Sequence, residues 1–405
     1  MEALQNRLKD FLNPASRQIA WIWVRQNLLS TWYNILLTVM SLVVAIATLK
    51  AIGTWVLTQA QWEVVTVNLR LMVVGRYPVE QLWRLWLVLM LLVGIPTFSW
   101  GILEGWGRKA NIVVACAGVG LIGATALSRQ DLSSLTWLAG ITVIGVGAGS
   151  LGTLAQTQTQ GKSLQAWLPL LWFLTFFVAL WLIGGGLGLS AVSTTFWNGF
   201  LLTLLVALVS IVLSFPFGVL LALGRQSSLP VIRTVSTGYI ELIRGLPLIG
   251  ILFMAQVMLP LLLPPQITVD QLVRAIAGLS LFSAAYLAET VRGGLQSIPN
   301  GQWEASKALG LSTPLTLGLI VLPQALRTVV PAIVGQFISL FKDTALLSIV
   351  GLVELTGIAR SITSQAEYLG RYGEVYLVLG LMYWLFCYGM SLASRRLERP
   401  SGFRS

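Results

Sequence analysis

The feature that most constrains this chain is the recurrence of apolar runs about twenty residues long, the length an α-helix needs to cross a hydrocarbon core of roughly 30 Å. In the first half they fall at residues 32–57, 82–103, 112–127, 135–154 and 167–189, and in the second at 196–223, 239–263, 275–291, 326–347 and 375–392. Lipid offers no water to the backbone, so each run must satisfy its own amide and carbonyl groups as a helix. The expectation is an all-α polytopic membrane helix bundle of about ten transmembrane helices. Composition agrees: 56% of the 405 residues are hydrophobic and 10% charged, against roughly 25% charged in soluble chains.

Residues 345–359 form a shorter apolar stretch interrupted by Glu354. Runs of about 10–14 residues are re-entrant or interfacial more readily than spanning, and an extra crossing here would reverse the C-terminus. With ten spans, Arg7, Lys9, Arg17, Arg25, Arg108, Lys109, Lys162, Arg225, Arg233, Lys307, Arg395, Arg396, Arg399 and Arg404 share one side. That side is the cytoplasm by the positive-inside rule, which places both termini there. The opposite loops carry Arg70, Arg76, Arg129, Arg360 and Arg371, with Glu63 and Glu80 mixed in. Leu4, Leu8, Phe11 and Leu12 recur at helical spacing, so the first dozen residues read either as an amphipathic surface helix or as a frayed terminus. The basic region is too long, and the following apolar run too extended, for a cleavable signal peptide.

The net charge of +11 does not point to nucleic acid, because the basic residues sit at the ends of apolar segments instead of forming a stripe. Cys116 and Cys387 both lie within apolar stretches and there is no histidine. A disulfide framework, a Cys/His metal site and a Ser-His-Asp triad therefore lack their parts, and no catalytic or metal residue is assigned. Gly161-Lys162-Ser163 has the ending of a Walker A loop, but Gln156 stands where that loop requires glycine. Pro96, Pro216, Pro247 and Pro331 lie inside spans and are expected to kink them. Gly145 with Gly149, and Gly184 with Gly188, have the GxxxG spacing that lets helices approach, though 39 glycines make such pairs common.

The most informative segment lies between the eighth and ninth spans: Gly301-Gln302-Trp303-Glu304-Ala305-Ser306-Lys307-Ala308-Leu309-Gly310-Leu311, followed by Ile320, Leu322 and Pro323. Asn300 reads as an N-cap, Glu304 as an acidic residue in the first turn, and Gly310 as a left-handed C′ residue. These features describe a short helix across the cytoplasmic end of the bundle, tied to two spans and able to pass force from a soluble partner into the membrane.

The same segment resembles the EAA loop of binding-protein-dependent ABC permeases, where Glu-Ala-Ala is followed by Gly and then by Ile-x-Leu-Pro. Ser306 stands where the family usually has its second Ala and is expected to fit the docking groove. Further strings resemble the polar-amino-acid branch: Glu241-Leu242-Ile243-Arg244-Gly245-Leu246-Pro247, Ala284-Ala285-Tyr286-Leu287-Ala288-Glu289 with Arg292-Gly293-Gly294, Leu322-Pro323-Gln324-Ala325, and Lys342-Asp343-Thr344. Ala345 replaces the Ser common after that Thr. The resemblance spans about residues 197–396, and the first half is similar to the extension of long-form subunits. It implies a cytoplasmic segment at 1–30, an N-terminal transmembrane extension of about five helices at 31–190, a permease core of five helices at 191–396 and a cytoplasmic tail at 397–405.

The resemblance further implies a transport subunit and not an enzyme. Its residues for ATPase coupling would be Gln302, Glu304, Ala305, Ser306, Gly310, Leu311, Leu322 and Pro323. Its implied partners are two ATPase subunits, which carry ATP and Mg and leave this chain without a cofactor. A second related permease in a heterodimer, a periplasmic amino-acid-binding protein, the lipid of a bacterial inner membrane and an amino-acid substrate complete the set.

From Pro323, a rise of about 1.5 Å per residue carries Lys342 and Asp343 near the outer boundary of the membrane, with Gln336 about two-thirds of the way up. Gln336 and Ser339 share one helix face and should avoid lipid. Either they line a path for a zwitterionic amino acid or they hydrogen-bond between helices. Lys342 and Asp343 either meet substrate charges at the entrance or pair with each other and with Glu354. Glu289 and Arg292, one turn apart, form a structural ion pair. Three other readings stay open: a secondary transporter or channel, which would place ionisable residues at mid-membrane; a membrane-embedded enzyme; and a structural partner permease without its own pocket.

Overall fold

The computed structural model describes residues 14–107, 110–116, 118–119, 132–157 and 161–397. The chain divides into two compact units, Met1–Trp62 and Glu63–Ser405. In the first, helix α1 (Pro14–Asn27) leads through a short turn into α2 (Trp32–Thr54), whose last turn widens into a π-helical segment at Trp55–Gln59. None of the α2 residues is buried, as expected of a helix whose solvent is lipid. The Trp62 indole donates to the Val56 carbonyl and its ring meets that of Trp55 edge-on, closing off the end of the span.

The second unit begins with α3 (Glu63–Val74), α4 (Leu82–Glu104), α5 (Leu132–Thr157) and α6 (Gly161–Gly184). Helices α4 and α5 run parallel: a Cβ on Gly140 would touch Met90, one on Gly94 Ile144, and one on Gly101 would lie 2.4 Å from the Gly149 carbonyl oxygen. Gly149 therefore does belong to a close helix crossing, although its neighbour there is Gly101 and not a GxxxG partner. Helix α6 runs the opposite way, with Gln165 donating to Ile102 near one end and Leu182 packing with Leu85 and Val88 near the other.

The remaining helices are α7 (Gly199–Arg225), α8 (Pro230–Gly245), α9 (Leu248–Phe253), α10 (Leu259–Leu262), α11 (Gln271–Gln296), α12 (Asn300–Ala308), α13 (Thr313–Thr316), α14 (Leu322–Asp343), α15 (Leu355–Thr363) and α16 (Tyr372–Leu397). Helix α11 packs on both α7 and α14, and α14 on α16. Two apolar clusters hold them together. One joins Leu202, Leu205 and Val206 of α7 to Leu182, Leu252 and Leu279, and the other joins Ala222, Ile240, Leu287, Val291, Val321 and Ala325.

The expected all-α polytopic bundle is observed, with no strand among the described residues. Of the ten expected spans, eight match helices long and apolar enough to cross a membrane by themselves. The span expected at 112–127 runs into residues outside those described. The one expected at 239–263 is two pieces: α8 and the α9–α10 segment meet at 104°. Pro247 disfavours helical geometry at the residue before it, and Leu246 is extended (φ −99°, ψ 142°). The sequence pattern hides this break because Leu246, Pro247 and Leu248 keep the run apolar.

Residues 344–363 form no eleventh crossing. A 3-10 segment at Thr344–Val350 and helix α15 turn back into the bundle, burying Leu347, Leu355, Ile358 and Ile362. Glu354, fully buried, caps α15 by accepting from the N–H groups of Thr356 (2.8 Å) and Gly357 (3.0 Å), and also takes the Tyr383 hydroxyl at 3.2 Å. The N-terminus of α7 meets this segment: Gly199 donates to the Val353 carbonyl at φ +64°, and a Cβ there would lie 2.6 Å from the Met72 carbonyl of α3. Beside it, the Tyr77 phenol donates to Ile183 and the Arg84 guanidinium to Ser190, both 106 residues away, which ties the turn before α4 to the end of α6 and α4 itself to the loop after α6. Burial pushes the Tyr77 phenol up, opposed by the Arg84 charge.

Candidate functional site

Two features of the Gln302–Pro323 region carry its architecture. The short helix α12 ends in a Schellman motif: Gly310, at φ +73°, donates to Lys307 (2.9 Å), and Leu311 donates to Ser306 (3.1 Å). At the start of α14, Pro323 has no N–H to offer the carbonyl four residues back. The chain widens to π geometry over Leu317–Val321, and Leu322 reaches the carbonyl of Leu317. Single-turn π segments of this kind recur at functional positions.

Three details of the sequence reading are corrected. The residue before α12 is Pro299, so Asn300 is the first helical residue and not its cap. Glu304 consequently falls beyond the first turn, where the N-terminal dipole is weak. Ser306 does not face outward: it is 1% exposed and its hydroxyl donates to the Trp303 carbonyl. The outward face is formed by Gln302, Glu304, Ala305, Lys307 and Ala308, with Leu309 77% exposed. Trp303, which the motif did not single out, packs against the cluster containing Val321 and Ala325. Gln324 donates to Gln302 at 3.2 Å, so Leu322 and Pro323 begin a helix linked directly to α12.

At the same end of the bundle, Glu289 is the centre of an ion network. It pairs with Arg292 on its own helix, with Arg225 of α7 at 3.0 Å and with Arg244 of α8 at 3.8 Å, while Arg225 also reaches Glu241 at 3.2 Å. The expected Glu289–Arg292 pair is present, but one turn of helix could not show that α7 and α8 supply further arginines.

The Arg244 guanidinium lies 5.5 Å from the centre of the Tyr286 ring, and Tyr286 belongs to a small cavity between α11 and α14. Ser283 and Tyr286 form its wall on one side and Gln336, Ser339 and Asp343 on the other, closed by Leu279, Phe282 and Leu340. Three of the four path residues read from the sequence therefore meet. Lys342 points elsewhere and is exposed, and no ion pair involves it among the described residues. The expected link from Lys342 and Asp343 to Glu354 is absent because Glu354 is already occupied by its cap and Tyr383.

The depth is also corrected. Phe341 packs against Tyr383 and Phe386, near the middle of α16, and Ser283 lies near the middle of α11. The cavity is therefore level with the centres of two long spans and not with their outer ends. Counting upward from Pro323 missed this because residues 344–363 fill the space above α14.

Apolar spans, a capped short helix joined to the bundle and a polar cavity at mid-span define a membrane transport subunit. The sequence matches the family described as "Binding-protein-dependent transport system inner membrane component" over residues 214–400. Over 405 residues it is 36% identical to the inner membrane amino-acid ABC transporter permease protein YhdY of Escherichia coli K12, covering 95% of each chain. It is 34% identical to the glutamate/glutamine/aspartate/asparagine transport system permease protein BztC of Rhodobacter capsulatus, covering 95% of this chain and 94% of that one. The probable glutamine permease GlnP of Bacillus subtilis is 44% identical but matches 50% of this chain. A solved structure, "Crystal structure of an amino acid ABC transporter with histidines", covers 50% of this chain at 30% identity and a TM-score of 0.45. The chain belongs to the family of amino-acid ABC transporter permeases, in its long form with an N-terminal extension. It is a multi-pass inner-membrane transport subunit of an ABC importer and is not an enzyme.

Proposed function

We propose that this chain forms part of the passage for a polar amino acid and docks its ATPase partner through the outward face of α12. The observation that carries the proposal is the mid-span cavity, where Gln336, Ser339 and Asp343 face Ser283 and Tyr286. Polar side chains at that depth are costly against lipid. They supply hydrogen-bonding groups for a zwitterion, and Asp343, the charged residue in the wall, complements an α-ammonium group. The free volume of about 20 Å³ takes little more than one water, so the closed chain must open or be completed by a second permease before substrate fits.

In this reading both termini and α12 are cytoplasmic, the core is 191–396, and ATP with Mg is bound by two separate ATPase subunits. A periplasmic binding protein delivers the substrate, and the second permease is related but not identical. Names of relatives such as BztC support acidic amino acids and their amides as the substrate class. ATP-driven uptake into vesicles, absent without the ATPase subunits, tests the coupling and separates it from a secondary transporter. A Gln336→Ala variant with unchanged KM and rate would remove the cavity from the passage. The small cavity also favours a second reading, in which this chain supports a partner that holds the pocket. Ligand density in the assembled complex, on one chain or the other, decides between them.

A further inference from the structure

The polar cavity between α11 and α14 has a floor. Tyr286 is the last α11 residue in its lining and Gln336 the first α14 residue, both at the end that leads to α12. Beyond them the two backbones close the crevice: a Cβ on Gly294 would lie 2.7 Å from the Ala325 carbonyl oxygen, and Val329 packs against the apolar cluster there. Anything leaving the cavity toward α12 must therefore pass the Tyr286 ring on the side away from α14. Phe282, its ring centre 4.8 Å from that of Tyr286, adds a second aromatic to the same wall.

Helix α8 covers that side. It packs on α7 and α11 and is tied to α11 at residues on either side of Tyr286: the Tyr239 hydroxyl donates to the Leu281 carbonyl at 2.8 Å, and Arg244 pairs with Glu289 at 3.8 Å. Between these ties the Arg244 guanidinium lies 5.5 Å from the centre of the Tyr286 ring without itself lining the cavity. The Arg244 side chain is 38% exposed, and both of its attachments are weak where solvent reaches them. Of its 16 residues α8 buries only Ser236 and Ile240, the sparse packing expected of an element that moves. Two residues after Arg244 the chain is extended at Leu246 and turns by 104° into the α9–α10 segment. A break at the end of an element is where a hinge can absorb rotation.

On the reading that this cavity is part of the passage, we propose that Arg244 is a positioning residue for transport. It holds the Tyr286 ring in place as the floor of the cavity, and the floor opens toward α12 when α8 swings about Leu246 and carries the guanidinium off the ring. Arg244 touches no substrate in this scheme. Glu289 fixes the guanidinium beside the ring, so the ion network at the α12 end and the closure of the passage are one device.

The test uses the assembled transporter in inside-out and right-side-out vesicles, with Cys116→Ser and Cys387→Ser in this chain and Ser339→Cys to place a thiol in the cavity wall. A membrane-impermeant maleimide is applied from each side without nucleotide, and labelling of the α14 peptide is followed by mass spectrometry. From the α12 side Arg244→Gln should label at least fivefold faster than the parent. Arg244→Lys, which keeps a cation for both the ring and Glu289, should stay nearer the parent. From the opposite side the rates should be unchanged, which a bundle loosened throughout would not give. Glu241→Gln, on the same helix but paired with Arg225, should label like the parent. If Ser339→Cys does not assemble, Gln336→Cys repeats the measurement. Labelling that occurs at the same rate in Arg244→Gln and the parent overturns the latch and leaves the passage standing, as does equal acceleration by Glu241→Gln. A thiol that no reagent reaches from either side in any variant, with or without ATP, removes the passage and the latch together.

Discussion

Arg225 and Glu289 meet at 3.0 Å although 64 residues separate them. Their contact joins the last residue of α7 to the penultimate turns of α11, and it brings Arg244 and Arg292 to the same carboxylate. Three arginines are served there by Glu289 and the more exposed Glu241, so Glu289 is the counter-ion on which the arrangement depends. Through Arg244 the network also touches Tyr286 in the wall of the polar cavity. A change in the packing of α8 against α11 is thereby felt at both places.

Glu289→Gln should lower the thermal midpoint of the detergent-purified complex and reduce ATP-driven uptake. Arg225 and Arg292 are about a quarter exposed and Arg244 38%, so solvent screening limits the loss to roughly 1–2 kcal/mol. Glu241→Gln, at a side chain 63% exposed, should change the midpoint far less. Equal midpoints for both variants would show that burial does not distinguish the two carboxylates.

Gly310 holds the left-handed position that ends α12. An alanine there costs about 1–2 kcal/mol of backbone strain, whereas asparagine tolerates that conformation better. Uptake per ATP hydrolysed should fall in the order Gly310, Gly310→Asn, Gly310→Ala. A Gly310→Ala variant with wild-type coupling would mean that the exit angle of α12 does not matter to force transmission.

What the sequence revealed follows from which forces are local. Apolar runs and the glycine-terminated loop helix are properties of consecutive residues, so the spans and Gly310 were legible, as were Gln336 and Ser339 on one helix face. The break at Leu246-Pro247 was hidden because hydropathy does not register a change of direction. Ser306 was read as fitting the docking groove, and its burial was not legible because a motif names residues without saying which side is covered by Trp303 and Val321. The partners of Glu289, the wall supplied by Ser283 and Tyr286, and the depth of Asp343 depend on contacts between distant helices. No spacing within one segment encodes them.

Ser306 is buried against its own subunit, so its size and not its hydroxyl should matter. Ser306→Ala loses a bond made to the carbonyl three residues back and should change the thermal midpoint little. Ser306→Leu must displace Trp303 or its neighbours, with overpacking worth about 1–3 kcal/mol, and should weaken both stability and ATPase association. Pull-down of the ATPase subunit with each variant measures the second effect. Equal capture by Ser306→Leu would detach the seating of α12 from docking.

Glu354 offers the sharpest stability test, because every partner of its buried carboxylate is a donor. The Thr356 and Gly357 amides belong to the first turn of α15, the Tyr383 hydroxyl to α16, and Thr203 of α7 approaches at 3.5 Å. Glu354→Gln keeps the shape but turns one acceptor into an NH2 group facing donors, at a cost of about 1–3 kcal/mol. Glu354→Leu leaves both amides uncapped and adds roughly a further 1 kcal/mol for the lost N-cap. Thermal unfolding of the purified complex should rank Glu354 above Glu354→Gln and that above Glu354→Leu. If Glu354→Leu were the more stable of the two variants, apolar packing and not hydrogen bonding would be what holds residues 344–363 inside the bundle.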